Sequence, residues 1–421
     1  MTTLSPHGMG IRAVGAAVVC FAVLLVASTA SAQPPGAPVL VPGSPTNMWP
    51  GADGFAYASG FDLDGTQHVR RVLLDGTIAG SWKSPPIDGA IEDVSVGDAG
   101  VLVQRFIEPA SAPRPLSDGV PPPESRDLFL LERATGAQLP WTFRFPPKPR
   151  QFPKGLKVGF RVVEGAEAAG NRIYVHARWV SRPGKPGTFR KGNGVLYAVD
   201  PTVGTVTGSV INVDVGKAGT VGSMIGDVSR SGNLLYVTSC VVPPGGFSGL
   251  TVTLRGCVQR RDAGSLRLSK AWAAERSWTV DRGVGSRSAI TRVAAVGGRV
   301  YFEGRFTAVD KKPRTQVAAL DATGRLLPFA PRLPGPPNRP GRPTLALWAT
   351  FCPAFTVGLR GGQFPYLIDP SGAVLPWAPT LPRFEGVGHS VPFTPTSASI
   401  VSMLPGGSLA VYPSDPGGVC G

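Results

Sequence analysis

Glycines at 76, 136, 204, 264, 324 and 372 each close a short turn just after an acidic residue, with spacings of 60, 68, 60, 60 and 48 residues. A period that long marks a structural repeat rather than a local motif. Segment 291–333 is the clearest copy. It divides into four predicted strands, Thr291–Val296, Arg299–Ala308, Gln316–Asp321 and Leu326–Phe329. The turns are Gly297-Gly298, a basic loop, and Asp321-Ala322-Thr323-Gly324. Glycine suits these turns because it adopts positive φ at little cost.

A four-stranded antiparallel meander of this size is the unit of a β-propeller blade. The second strand recurs on its own pattern at Phe55–Tyr57, Val101–Val103, Arg172–Val175, Leu234–Val237, Val300–Phe302 and Leu409–Tyr412. Segment 345–360 supplies the blade between the last two. The sequence therefore predicts an all-β chain folded as a single propeller of four-stranded blades. Seven blades fit best, with six and eight as alternatives. Pro38–Pro42 is expected to pair with the C-terminal blade and close the ring, removing exposed sheet edges. The 55 glycines and 44 prolines accompany 42% hydrophobic residues, which excludes a disordered chain.

Residues 1–32 read as a cleavable signal peptide. Arg12 precedes an apolar stretch from Ala13 to Val26, and Ala30 and Ala32 occupy the small positions before a cleavage site. The stretch is short for a membrane anchor. Residues 33–421 then form the propeller, secreted or held outside the cytoplasm, with no membrane span. Its cysteines, Cys240, Cys257, Cys352 and Cys420, are even in number, as disulfides in an oxidising compartment require. Aligning Tyr236 with Tyr301 sets Cys240 against Cys257 across a hairpin, leaving Cys352 for Cys420.

The formal net charge is +15. In a meander, the loop between strands two and three and the link to the next blade share one face of the disc. The basic stretches fall there: Arg144, Lys148, Arg150, Lys154 and Lys157; Arg182, Lys185, Arg190 and Lys191; and Lys311, Lys312 and Arg314. This face is a candidate for an anionic ligand, against the plainer reading of a solvated charged face. No nucleic-acid-binding motif accompanies the charge.

The search for chemistry yields no catalytic, cofactor or metal residue. There is no nucleophile elbow, zinc-protease motif or phosphate loop. His68, His176 and His389 are scattered and read as packed or surface residues. Asp62-x-Asp64-Gly65 fits an ordinary Asp-Gly turn better than a calcium loop, which needs further oxygen ligands. Trp82, Trp141, Trp272 and Trp377 recur at one place in their blades, as residues packing between blades do.

Ala318-Ala319-Leu320-Asp321-Ala322-Thr323-Gly324, Leu375-Pro376-Trp377-Ala378-Pro379 and Gly304-Arg305-Phe306-Thr307 resemble the delta-60 and PQQ-like repeats of secreted bacterial propellers. The resemblance is concentrated around 293–331. It implies the fold and leaves function open, since such propellers include scaffolds, binders and some enzymes. The expectation is a non-catalytic, monomeric module that binds a protein or an anionic envelope or extracellular polymer through its basic loop face. The alternative is a quinone-dependent dehydrogenase or glycan-cleaving enzyme with its site at the central channel. The first lacks its adjacent-cysteine pair, and for the second no pair of carboxylates stands out.

Overall fold

The computed structural model describes residues 39–40, 44–51, 53, 55–62, 64–72, 78–107, 126–146, 158–181, 192–211, 225–240, 247–248, 250–255, 257–269, 272, 277–281, 290, 292–296, 298–314, 317–331, 344–346, 355–359, 363–368, 372–373, 393–395, 399–403 and 408–413. Among them the regular structure is all β-strand, and the strand pairings are antiparallel.

After β1 (Val39–Leu40), the first meander is β2 (Ser44–Pro50), β3 (Ala56–Phe61), β4 (Gln67–Val72) and β5 (Ile78–Lys83). The second is β6 (Ala90–Gly97), β7 (Gly100–Phe106) and β8 (Arg126–Leu131). The third is β9 (Val158–Ala169), β10 (Arg172–Ser181), β11 (Gly192–Val199) and β12 (Val206–Ile211). The fourth begins with β13 (Ile225–Ser231) and β14 (Leu234–Ser239). It resumes, after β15 (Phe247–Ser248) and β16 (Thr251–Arg255), with β17 (Val258–Asp262). A link carrying β18 (Ser277–Asp281) leads to the fifth, β19 (Arg292–Val296) and β20 (Arg299–Glu303). That meander resumes, after β21 (Phe306–Val309) and β22 (Lys312–Pro313), with β23 (Val317–Asp321). The sixth is β24 (Thr344–Ala346), β25 (Phe355–Leu359) and β26 (Gln363–Ile368). The last is β27 (Phe393–Pro395), β28 (Ser399–Met403) and β29 (Ser408–Pro413), with β1 as its fourth strand, Val39 opposite Leu409.

The first strands of successive meanders pack side by side: β27 with β2, β2 with β6, β6 with β9, β9 with β13, and β13 with β19. Sheets set face to face around a common axis make a propeller. The hydrophobic core accordingly lies between meanders. Tyr57 and Trp82 pack with Ile91, Val94 and Val101, and Leu130 and Trp141 with Ile173 and Tyr197. The tryptophans also fasten one meander to the next. Trp82 Nε1 donates to Arg133 O at 2.9 Å, Trp141 Nε1 to Asp200 O at 3.0 Å, and Trp272 Nε1 to Asp321 O at 3.4 Å. Trp377 lies outside the described residues.

Those acceptor carbonyls belong to the glycine turns of the repeat. Gly136 and Gly204 have φ of 81° and 72°. A Cβ on Gly204 would stand 2.1 Å from Thr142 O of the preceding meander, so both the dihedral and the close approach demand glycine. In the fourth turn the left-handed place falls to Leu266 (φ 57°) and not to Gly264 as the spacing predicts. Leu266 N donates to Asp262 O at 2.8 Å, as Gly204 N donates to Asp200 O at 2.9 Å. The leucine tolerates this conformation because its side chain is fully buried with Tyr174, Leu196 and Val237 between meanders three and four.

Four strand assignments differ from expectation. The strand expected to run from Arg299 to Ala308 stops at Glu303. Beyond it, β21 joins a separate five-stranded sheet ordered β15-β16-β18-β21-β22. Leaving the meander lets Phe306 and Val309 bury beside Leu254 and Trp278, with the Trp278 and Phe306 rings edge-on at 5.0 Å. The expected fourth strands of meanders two and five shrink to single bridges, Leu131 with Gln138 and Leu320 with Leu326. Pro140 and Pro328 follow those bridges and lack the N–H a ladder would need. Leu409–Tyr412, expected as a second strand, lies within the third strand of its sheet, because Phe393–Pro395 supplies the first strand and Ser399–Met403 the second.

Candidate functional site

The first strands β27, β2, β6, β9, β13 and β19 follow one another around the propeller axis, and each has one edge without a partner inside its own sheet. Amide groups along that edge must find acceptors elsewhere. In β6, β9 and β13 the ladder to the second strand is interrupted by a register shift at the corresponding step, beside Asp93, Gly165 and Asp227. Bulges of this kind re-aim side chains. In β19 the ladder is regular, and the same step is Arg292, opposite Glu303.

Serine and aspartate side chains fill the missing acceptor role. Ser95 Oγ accepts from Ala168 N at 2.8 Å and Ser229 Oγ from Ala295 N at 3.2 Å, an equivalent bond between successive first strands. Asp227 Oδ2 accepts from Val293 N at 2.7 Å, and its own amide donates to Thr238 Oγ1 at 2.6 Å. Asp93 Oδ1 accepts from Val94 N at 3.0 Å, and the Trp49 side chain donates to the same carboxylate.

Glu167 breaks this pattern. It stands in β9 where Ser95 and Ser229 stand in their strands, yet its carboxyl group makes no hydrogen bond among the described residues. It is half-buried. Burial holds its carboxyl well above the usual range, and the like charges of Asp227 and Asp93 raise it further, against the opposing pull of Arg292. Burial lifts Asp227 to about 6, although the Val293 amide and Arg292 favour its charged form. Asp93 is raised as well, again chiefly by burial and against Arg292. Three carboxyl groups and one guanidinium from four consecutive first strands thus share one electrostatic environment.

Behind them runs a second polar layer. Ser59, Gln104, His176, Thr238 and Glu303 occupy one step of the second strand in the first five meanders, and all are buried. The His176 ring covers Gly165, where a Cβ would fall 2.4 Å from Cε1. Gln104, 5% exposed, donates from Nε2 to Glu92 Oε2 at 2.8 Å, while its Oε1 has no partner. Glu92 also accepts from Arg126 at 2.6 and 3.1 Å.

The sequence pairs none of these acids, because they lie one or two repeats apart. A signal was available in the recurrence of Ile91-x-Asp93-Val94-Ser95 as Ile225-x-Asp227-Val228-Ser229.

Of the predicted basic face, Arg144 is exposed after the second meander. Lys311 and Lys312 are exposed in the β21–β22 hairpin, Lys311 in a left-handed turn position. The Arg314 guanidinium donates to Pro313 O and Leu327 O at 2.7 and 2.9 Å and is half-buried. Lys148, Arg150, Lys154, Lys157, Arg182, Lys185, Arg190 and Lys191 lie outside the described residues. Cys240 and Cys257 are joined as a disulfide just beyond the last rung of the β14–β17 ladder. Cys352, Cys420 and His389 lie outside the described residues.

The Asp62 turn is an ion-pair hub. Asp62 meets Arg70 at 2.5 Å, Lys83 at 2.6 Å and the buried His68 at 3.4 Å, and Asp64 accepts from Thr66 N at 2.9 Å. Arg70 and Lys83 take the Asp62 carboxylate oxygens, and Gly65 N donates to Asp62 O at 2.9 Å across the turn. Among the described residues no group of three or more His, Cys, Asp or Glu is arranged to hold a metal ion. No described helix is long and apolar enough to cross a membrane.

No protein-family model and no curated protein matches the chain. Among solved structures it is similar to YCF48 bound to D1 peptide, at 11% identity over 91% of this chain and 96% of that one, TM-score 0.38. It is similar to the dihydro-heme d1 dehydrogenase NirN at 13% identity over 88% of this chain and 64% of that one, TM-score 0.39. The Aleuria aurantia lectin in complex with alpha-methyl-L-fucoside is 13% identical over 90% of this chain and 98% of that one, TM-score 0.30. Similarity this distant assigns neither ligand nor reaction.

Proposed function

We propose that the chain is an exported, non-catalytic seven-bladed propeller of the delta-60 and PQQ-like kind. It binds its ligand at the axial mouth on the face carrying its long loops. The observation that carries this reading is the convergence of Asp93, Glu167, Asp227 and Arg292 from four successive first strands. Fixed polar groups in a concave, largely preformed setting are what a binding site needs. Glu167 is the telling member, because the two flanking meanders carry serine at its step and there serine makes the bond to the next first strand. The basic stretches, of which Arg144, Lys311 and Lys312 are described and exposed, would steer or hold a larger anionic partner. The Cys240–Cys257 disulfide supports an oxidising compartment.

A thermal-shift panel of amines, sugars and anions on the mature chain tests the site. At least one class should stabilise the wild type and lose that effect in Glu167→Gln. If every stabilising compound acts equally on both proteins, the axial mouth is not the ligand site.

A further inference from the structure

A second concavity lies at the outer strand of the first meander, where the second meander meets it, and it does not depend on the reading of the axial mouth. It is a cleft of about 580 Å3, within the roughly 300–1,000 Å3 of small-molecule sites. One wall is the β3–β4 turn with Asp62, Asp64 and Thr66. Residues 83–86 form another, and Thr135 and Ala137 of the next meander's glycine turn form the third. His68, 5% exposed, closes the back. The walls are preformed. Ser84 N and Ile87 N donate to Val69 O and Gln67 O at 3.0 and 2.9 Å, which pins Pro85 and Pro86 between two rungs. Gly136 lets the facing turn close in, since a Cβ there would stand 2.8 Å from Lys83 O.

The charges of this cleft cancel. Asp62 and Asp64 are balanced by Arg70 and Lys83, both of which donate to Asp62. An ion of either sign would meet like charge as well as unlike. Hydrogen-bonding capacity is left over. Lys83 donates to Asp62 at 2.6 Å and keeps two further ammonium hydrogens. Asp64 is exposed and accepts from Thr66 N at 2.9 Å with lone pairs to spare. The Ser84 carbonyl can only accept, so His68 donates to it from Nδ1 at 2.9 Å. In the neutral ring Nε2 is then an acceptor facing Asp62 Oδ2, another acceptor, at 3.4 Å, and a donated hydroxyl would reconcile the two. Beside these polar groups lies the apolar surface of Pro85, Pro86 and Ala137. A sugar presents donating and accepting hydroxyls on its rim and C–H groups on its face. We infer that the cleft binds a neutral sugar ring, its hydroxyls on Asp64, Lys83 and His68 Nε2 and its C–H face on Pro85, Pro86 and Ala137.

Saturation-transfer NMR and isothermal titration of the full mature chain test this with the methyl glycosides of glucose, galactose, mannose and N-acetylglucosamine. The charged probes are sulfate and butylammonium. At least one glycoside should bind, and at least five-fold more weakly to Asp64→Ala and to Ala137→Trp. Both residues are exposed, so both variants should fold, and the indole would fill the cleft without touching the Asp62 ion pairs. Affinity should be unchanged in Glu167→Gln, which separates this cleft from the axial mouth. Glycoside binding that survives both cleft substitutions overturns the inference, as does failure of every glycoside to bind. Loss of binding in Glu167→Gln alone places the sugar at the axial mouth and overturns it too. Asp64-dependent binding of sulfate or butylammonium without any glycoside overturns the ligand class and leaves the cleft standing.

Discussion

Leu266 holds a backbone conformation that costs a leucine roughly 1–2 kcal/mol, and it does so with its side chain sealed between two meanders. Two substitutions separate these effects. Leu266→Ala keeps the strain and loses the packing, a loss of about 2–5 kcal/mol. Leu266→Gly loses the same packing and relieves the strain. Denaturant unfolding should find the glycine variant at least as stable as the alanine variant, the reverse of the usual order in regular structure. A clearly less stable glycine variant would remove the strain argument. Asp62 offers a pH test. Hydrogen bonds from Lys83, then Arg70, hold its carboxyl down at about 2. A depressed value stabilises the fold above the unfolded pKa near 4 and loses that contribution as pH falls through 2. Asp62→Asn should therefore cost about 1 kcal/mol at pH 7, the modest scale of a solvent-touched pair. The difference from wild type should close as pH approaches 2. A gap that persists there would mean the asparagine disturbs packing and not charge.

Among the elements, the turn glycines and tryptophans were legible because each answers a local demand that few residue types meet. Gly136 and Gly204 need both positive φ and room for a neighbouring carbonyl, and Trp82 and Trp141 reach those same turns. The path of β21 was not legible. Its choice of sheet depends on Leu254 and Trp278, which come from other segments and which no window around Phe306 contains. Gly264 misled for a related reason, since only the packing around Leu266 decides which turn residue goes left-handed. The disulfide belongs at this scale too. It closes the excursion carrying β15 and β16, a separation of 17 residues, for which the chain-entropy model gives about 3 kcal/mol. Reduction, or Cys240→Ala with Cys257→Ala, should lower the melting temperature. Hydrogen exchange should rise first in residues 251–255. Uniform acceleration across all meanders would show that the disulfide acts on global stability alone.

In the whole molecule, β1 covers one edge of β29, bringing Val39–Leu40 to the last meander. Deleting residues 33–41 should expose that edge, lower the melting temperature and promote concentration-dependent association, as free strand edges do. Light scattering that finds a monomer of unchanged stability would deny β1 this role. The repeat was visible in sequence at this scale and the axial acids were not. The turn signal recurs in most copies, whereas the acid at the Asp93 step recurs only at Asp227 and Glu167 stands alone at its step, so a period read from turns passes over them. The five-stranded sheet has a consequence of another kind. Its strands are drawn from the excursion of the fourth meander, the following link and the excursion of the fifth, and they share one core with both. Neither repeat can be duplicated, deleted or exchanged alone without leaving half of that sheet behind. Shuffling of this gene in evolution, or grafting in the laboratory, must move the two as one cassette.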